Sequence, residues 1–161
     1  MVTELEIWRY LEEVFDPEVP VLTVVDLGVV RAVKVSENSC HIKLTPTYSG
    51  CPAMKRMEED IIDKLAEKGV ENVTVELVLS PAWTTDWLTE KGRIKLREYG
   101  IAPPENEPDK STLFADPAVV PCPQCTSKNT RLVSQFGSTA CKAHYQCNDC
   151  LEPFDYFKCL K

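Results

Sequence analysis

The sequence predicts an α+β domain of about a hundred residues followed by a small all-β module. Three features carry that expectation. Helical and two-residue hydrophobic periods interleave over residues 1–100 in the order α-β-β-α-β-α. Prolines and acids crowd residues 101–121. Six of the eight cysteines fall in the last 40 residues, four of them as two C-x2-C pairs.

Thr3-Glu4-Leu5-Glu6 has capping-box spacing, with Thr3 at N-cap and Glu6 at N3. Ile7, Trp8, Leu11, Val14 and Phe15 follow at helical spacing, so a helix is expected up to Asp16-Pro17. Pro17 and Pro20 make an extended connection. Val29, Val33 and Val35 mark a first strand, Ser36–Ser39 a turn, and His41–Thr47 a second strand with Ile42 and Leu44 on one face. After the tight loop Tyr48-Ser49-Gly50-Cys51-Pro52, Met54, Met57, Ile61, Ile62 and Leu65 keep a helical period that Gly69 stops. Val73, Val75, Leu77 and Leu79 alternate with Thr74, Glu76, Val78 and Ser80, which predicts a third strand with one face well buried. A last helix is expected over Thr85–Tyr99, with Gly92 inside it and Gly100 as its stop. Residues 101–121 contain Pro103, Pro104, Pro108, Pro117 and Pro121 and read as an extended linker. The domains are then 1–100, a linker over 101–121, and a module over 122–161.

The composition, 43% hydrophobic and 27% charged, is that of a globular chain. The formal net charge of -7 argues against a nucleic-acid partner held by phosphate neutralisation. Residues 1–100 carry 12 Lys+Arg against 18 Asp+Glu, whereas residues 118–161 carry 5 against 3. The tail is slightly basic, far short of a nucleic-acid patch. No run of 18 apolar residues exists, so no membrane span is expected. Met1-Val2-Thr3-Glu4-Leu5-Glu6 is acidic and lacks an apolar core, which is unlike a signal peptide and makes a cytoplasmic location the default. Eight cysteines in a reducing compartment point to metal or thiol chemistry rather than disulfides.

Cys122-Pro123-Gln124-Cys125 and Cys147-Asn148-Asp149-Cys150 are separated by 21 residues. A two-residue gap lets both thiolates of a tight knuckle face one cation, and two knuckles complete a tetrahedral four-thiolate site. Zinc is the most frequent occupant, although rubredoxin-like iron or a [2Fe–2S] cluster takes the same donors. Arg131–Phe136 and Ala143–Gln146 are expected as two short strands, with Phe136, Tyr145, Phe154, Tyr156 and Phe157 as an aromatic core. Forty residues rarely fold unaided, so the metal would supply part of the folding energy. Cys141 and Cys159 read as buried small hydrophobes, and His144 as an ordinary strand residue.

Cys51 is the one candidate reactive group in the first domain. Pro52 suits a first helical turn, which puts Cys51 at the positive end of a helix dipole and predicts a lowered pKa. Thr45, Thr47 and Ser49 could donate hydrogen bonds to its thiolate, and Asp16, Glu18 and Asp26 could line the same edge. A capping cysteine without chemistry explains the position equally well. No histidine lies nearby in sequence, so a Cys-His acyl-transfer site has little support, and no acid/base pair or phosphate-cradling loop is visible. Trp83 and Trp87 read as core or interface aromatics.

Asp16-Pro17-Glu18-Val19-Pro20, Asp26-Leu27-Gly28 and the Thr45–Pro52 loop resemble the SufT-like domain of iron–sulfur assembly factors. Leu79–Trp87, Tyr99–Pro104 and Phe136–Ala143 further resemble the PaaD (PaaJ) family, over nearly the whole chain. The resemblance implies a SufT-like fold with a C-terminal zinc ribbon and a place in aerobic phenylacetate degradation. There the multicomponent phenylacetyl-CoA epoxidase (ring 1,2-monooxygenase) combines a di-iron oxygenase subunit with a flavin/iron–sulfur reductase. The implied role is accessory rather than enzymatic: assisting iron–sulfur maturation or insertion, with the reductase and/or oxygenase subunits as partners. The family's reactive cysteine maps onto Cys51. Its two acidic loops map onto Asp16–Pro20 and Asp26–Gly28, and its C-terminal cysteines onto Cys122, Cys125, Cys147 and Cys150. One structural zinc and a transient iron or iron–sulfur cluster are the expected cofactors. The competing expectation is a structural subunit of the epoxidase with Cys51 inert. Self-association into a homo-oligomer is compatible with either.

Overall fold

The computed structural model describes residues 1–37, 39–48, 50–104 and 119–157. They form a mixed α+β fold in two compact units, Met1–Trp83 with Trp87–Gly92, and Thr84–Asp86 with Arg93–Lys161. Among the described residues no helix is long and apolar enough to cross a membrane.

In the first unit the capping box forms as its spacing predicts. The Glu6 carboxylate accepts the Thr3 N–H at 2.8 Å, and the Thr3 hydroxyl accepts the Glu6 N–H at 3.3 Å. The helix behind it, α1, covers Glu4–Leu11 and buries Ile7 and Leu11. It ends short of the expected Phe15. Val14 and Phe15 instead run extended against the returning chain: the Val24 N–H reaches the Val14 carbonyl at 2.9 Å, and Phe15 bridges Thr23. Pairing with a later segment replaces the next helical turn, and Phe15 is left exposed.

β1 (Val30–Ser36) and β2 (Ser39–Leu44) are antiparallel; β3 (Val73–Leu77) lies parallel to β2, giving sheet order β1-β2-β3. The crossover between the parallel strands is α2 (Ala53–Glu67), whose Met54, Met57, Ile61 and Leu65 are buried. The helix ends as its glycine predicts. Gly69 takes φ +82°, the Gly69 N–H reaches Ala66 O, and the Val70 N–H reaches Leu65 O, a Schellman motif with Val70 and Leu65 both buried. Ile7, Leu11, Leu22, Leu27, Ile42, Leu44, Met57, Ile61 and Leu65 form the fully buried centre of the core. Burying each such side chain stabilises the fold by about 1.5–3 kcal/mol.

β3 and the last helix both differ from what the sequence predicts. β3 does not bury a face well: Val73 and Val75 are half-buried, while Leu77 and Leu79 are 49% and 62% exposed. The alternation is present, but β3 is an edge strand and nothing among the described residues covers its outer side. The continuous helix over Thr85–Tyr99 is also broken. A 3-10 turn, Thr85–Trp87, precedes α3, which begins only at Glu90 and runs to Tyr99. The Thr89 N–H is held by the Asp26 carbonyl at 2.9 Å, and Gly92 passes so close that a Cβ would meet that oxygen at 3.1 Å. Docking onto the Asp26 turn therefore sets where the helix starts.

The second unit contains the sheet β4-β7-β6-β5, with β4 Ile101–Ala102, β5 Thr130–Ser134, β6 Lys142–Cys147 and β7 Pro153–Phe157. β5 and β6 are the two expected strands; β4 and β7 add to them. Ile101 and Ala102, read from sequence as the start of the linker, pair in parallel with Asp155 and Tyr156. Residues 105–118, most of the expected linker, lie outside the described residues, as does Cys159. The core gathers Ala102, Val120, Cys122, Ala143, Tyr145, Cys147, Phe154 and Tyr156. Tyr145 stacks on Phe154 and meets Tyr156 edge-on. Phe136, expected in that core, is 58% exposed: it lies beyond the end of β5, in the turn that leads to β6.

Candidate functional site

The four cysteines of the paired motif converge. The sulfurs of Cys122, Cys125, Cys147 and Cys150 all lie within 4.8 Å of one another. The two cross-knuckle contacts are Cys122–Cys150 at 3.7 Å and Cys125–Cys147 at 3.6 Å. Sulfurs about 2.3 Å from a tetrahedral cation stand about 3.8 Å apart, so the donor set fits a single ion with little rearrangement. The two knuckles are built alike. Cys122 N–H reaches Ser127 O at 2.8 Å, and Cys147 N–H reaches Glu152 O at 3.0 Å. The residue after each second cysteine turns left-handed, Thr126 at φ 66° and Leu151 at φ 67°.

Side chains tie one knuckle to the other. The Asp149 carboxylate accepts hydrogen bonds from the Ser127 hydroxyl and from Asn129 Nδ2, the latter at 3.1 Å. Those donors lower its pKa, Ser127 more than Asn129. N–H groups of Cys150 and Asp149, in concert with the neighbouring sulfurs, lower the Cys147 thiol to about 7. For Cys150 the Glu152 N–H acts downward, but burial and the three facing sulfurs outweigh it and push the thiol up to about 12. Four sulfurs this close resist sharing several negative charges until a cation neutralises them. The four sulfurs are placed so that they could hold a single metal ion. Cys141 stays outside this cluster, buried and 3.1 Å from the Thr139 hydroxyl. His144 is a strand residue, 3.6 Å from Asp155.

Cys51 sits in the first unit between the end of β2 and the start of α2. Pro52 occupies the N-cap without a side-chain cap, and Cys51 itself closes a turn through its N–H to Tyr48 O at 3.3 Å. The expected lowering of its pKa is not found. Burial pushes the Cys51 thiol up, against hydrogen bonds from the Ala53 N–H and the Tyr48 side chain, and the Glu18 and Asp16 carboxylates push the same way. The helix terminus does supply a donor, but partial burial beside acids outweighs it. A thiol in this setting is a poor nucleophile at neutral pH.

The remaining predicted residues separate. Asp16 lies near enough to act on Cys51, and its Oδ1 accepts the Glu18 and Val19 N–H groups at 2.7 and 3.3 Å, which fixes the acidic loop. Asp26 is buried in a reciprocal turn. It accepts the Thr23 N–H at 3.2 Å while its own N–H reaches the Thr23 hydroxyl at 3.0 Å. That turn depends on Gly28, at φ +75°, where a Cβ would stand 2.1 Å from the Trp87 carbonyl. Trp83 seals the same region through Nε1 to Leu27 O at 2.8 Å, and Trp87 lies 3.6 Å beneath the Arg31 guanidinium. Thr45 is 1% exposed, and its hydroxyl has no hydrogen-bond partner among the described residues. Thr47 is half-buried in the loop, and Ser49 lies outside the described residues. Sequence reasoning missed Tyr48 as the side chain that meets Cys51. Its position three residues before the cysteine in a tight turn was the available signal.

Comparison with known proteins divides the chain in the same two parts. Residues 4–77 match the family described as iron-sulfur cluster assembly protein, and residues 106–158 match the PaaD zinc beta ribbon domain. A protein of Escherichia coli (strain K12), named as a candidate subunit of 1,2-phenylacetyl-CoA epoxidase, is 51% identical over 96% of this chain and 92% of its own length. An Fe-S protein maturation auxiliary factor of Porphyromonas gingivalis (strain ATCC BAA-308 / W83) is 36% identical, over 58% of this chain and 90% of its own. The crystal structure of a domain of unknown function from Bacillus anthracis superposes with a TM-score of 0.55 at 30% identity, covering 58% of this chain and 90% of that one.

Proposed function

The chain belongs to the PaaD family of phenylacetyl-CoA epoxidase subunits, and from that premise we propose that it is an accessory protein of the phenylacetyl-CoA epoxidase system that assists iron–sulfur cluster maturation or insertion. The observation that carries the reading is the pairing of two unlike cysteine environments. One is a closed set of four sulfurs with no evident open position, suited to a structural zinc. The other is a single half-buried thiol, Cys51, flanked by Asp16 and Glu18 and by Tyr48, suited to brief contact with a soft cation. Iron or a cluster is then cargo at Cys51 rather than a resident group, because one cysteine cannot complete a cluster site. The family described as iron-sulfur cluster assembly protein matches residues 4–77, which contain Cys51.

In this proposal Thr45 and Thr47 serve the Cys51 loop, Thr45 through a buried hydroxyl that has no hydrogen-bond partner among the described residues. Ser49 has the same assignment from sequence alone. Asp26 acts at one remove, by holding the turn that docks α3. The division into a domain over 1–100, a linker over 101–121 and a ribbon over 122–161 belongs to the proposal, with Ile101 and Ala102 lent to the ribbon's sheet. The ribbon docks to the epoxidase reductase or oxygenase subunits in the cytoplasm and catalyses nothing. The test is cluster loading of the reductase, followed by its iron–sulfur absorption, with wild-type or Cys51→Ala protein. Loss of the stimulated loading with Cys51→Ala is expected; full loading would sink the proposal.

One observation favours a second reading, a structural subunit of the epoxidase. The raised Cys51 pKa is also what an inert, half-buried thiol shows. Co-purification with the resting complex at fixed stoichiometry, together with cluster loading indifferent to Cys51→Ala, would select it.

A further inference from the structure

The first unit's sheet has two edges, and among the described residues only one is protected. β1 carries Arg31 and Lys34 exposed along its length, and charged side chains of this kind discourage strand addition. β3 reads Val73-Thr74-Val75-Glu76-Leu77, and its one charge is engaged on the sheet's polar face, where Glu76 lies 2.8 Å from His41 and 3.9 Å from Lys43. Register with β2 places Val73, Val75 and Leu77 on the same face as the buried Cys40, Ile42 and Leu44. At the edge, however, that apolar face runs out from under its cover, leaving Leu77 and, just beyond the strand, Leu79 exposed.

The backbone points the same way. Cys40 N–H reaches Asn72 O, and Val78 N–H reaches Leu44 O, so the even-numbered residues here turn their amides toward β2. By strand alternation the N–H and C=O groups of Val73, Val75 and Leu77 face outward. Among the described residues no strand pairs with that side.

We propose that this edge is an interface between two copies of the chain, joined by antiparallel pairing of β3 with β3 about Val75. In that register Val75 faces its own copy and Val73 faces Leu77 in both directions. Each is a hydrogen-bonded pair, so every outward N–H and C=O of the three residues finds a partner. On the opposite face Thr74 meets Glu76, and no two like charges stand opposite one another. The apolar side chains that β3 leaves half-covered continue across the two-fold axis into the partner's. The strand is thus self-complementary in hydrogen bonding, in apolar pairing and in charge, which a foreign strand would match only by chance. The interface is isologous, so assembly closes at the dimer.

The test is sedimentation equilibrium of the full chain over a wide concentration range, for wild type, Val75→Lys, Val75→Glu and an equimolar mixture of the two variants. Wild type is expected to dimerise. Each variant alone sets like charges against each other at the axis and weakens association by on the order of tenfold or more. The mixture restores it through opposite charges, which a merely misfolded variant would not do. A monomeric wild type would overturn the proposal. So would a dimer indifferent to both substitutions, or a β3 edge that acquires amide-exchange protection only when epoxidase subunits are added.

Discussion

At the residue scale, burial and neighbouring groups set the character of two kinds of cysteine. Cys51 is pushed up by burial first and by Glu18 and Asp16 after it, with the Ala53 and Tyr48 hydrogen bonds opposing. Its thiolate fraction at neutral pH therefore falls below that of a free cysteine. Alkylation monitored by mass spectrometry is expected to be slow at pH 7 and to rise with pH beyond the ordinary cysteine range. Rapid labelling at neutral pH would show that the thiol is activated after all. This property was not legible in the sequence. The helix start was readable from Pro52, but the opposing burial and the approach of Asp16 and Glu18 are long-range. Gly28 makes a sharper residue-scale prediction. A Cβ there meets the Trp87 carbonyl at 2.1 Å on a backbone already at φ +75°, so Gly28→Ala is expected to cost about 2–4 kcal/mol. Urea unfolding followed by fluorescence measures it; an unchanged midpoint would contradict the packing.

At the element scale, what is encoded by near neighbours was readable and what depends on coverage was not. The Thr3–Glu6 capping box and the Gly69 stop of α2 are set by residues within one turn, and both form as spacing dictates. Thr3→Ala is accordingly expected to cost about 1 kcal/mol of stability, read as a shift in the urea midpoint of the first unit. A loss several times larger, or none, would contradict a simple cap. The helical period runs past the true end of α1 because Val14 is buried in extended pairing as fully as it would be on a helix face. The period alone cannot separate the two. The exposure of Leu77 on β3 and of Phe136 after β5 is likewise a matter of what lies opposite, which alternation does not report. The break before α3 is set by Asp26, far upstream, through its carbonyl.

At the scale of the whole molecule, the two cysteine environments lie in different units and, in the proposed function, do different work. The four-sulfur cluster was the most legible feature of the chain, because C-x2-C spacing fixes local geometry and only the meeting of the two knuckles needed the fold. Its sulfurs also form part of the second unit's core, where Cys122 and Cys147 are buried beside Tyr145 and Tyr156. Removing the metal should then cost that unit its folded state. Chelation is expected to abolish near-ultraviolet circular dichroism from the ribbon tyrosines while the helical far-ultraviolet signal of the first unit persists. Retention of both signals would mean the ribbon stands without metal. The division itself is tested most directly by metal analysis with absorption spectra on wild type, Cys51→Ala and Cys125→Ala. A single zinc per chain, kept by Cys51→Ala and lost by Cys125→Ala, with no iron–sulfur absorption in the resting protein, is the predicted result. Iron–sulfur absorption that disappears with Cys125→Ala would contradict it, because the ribbon, not the Cys51 loop, would then hold the redox metal.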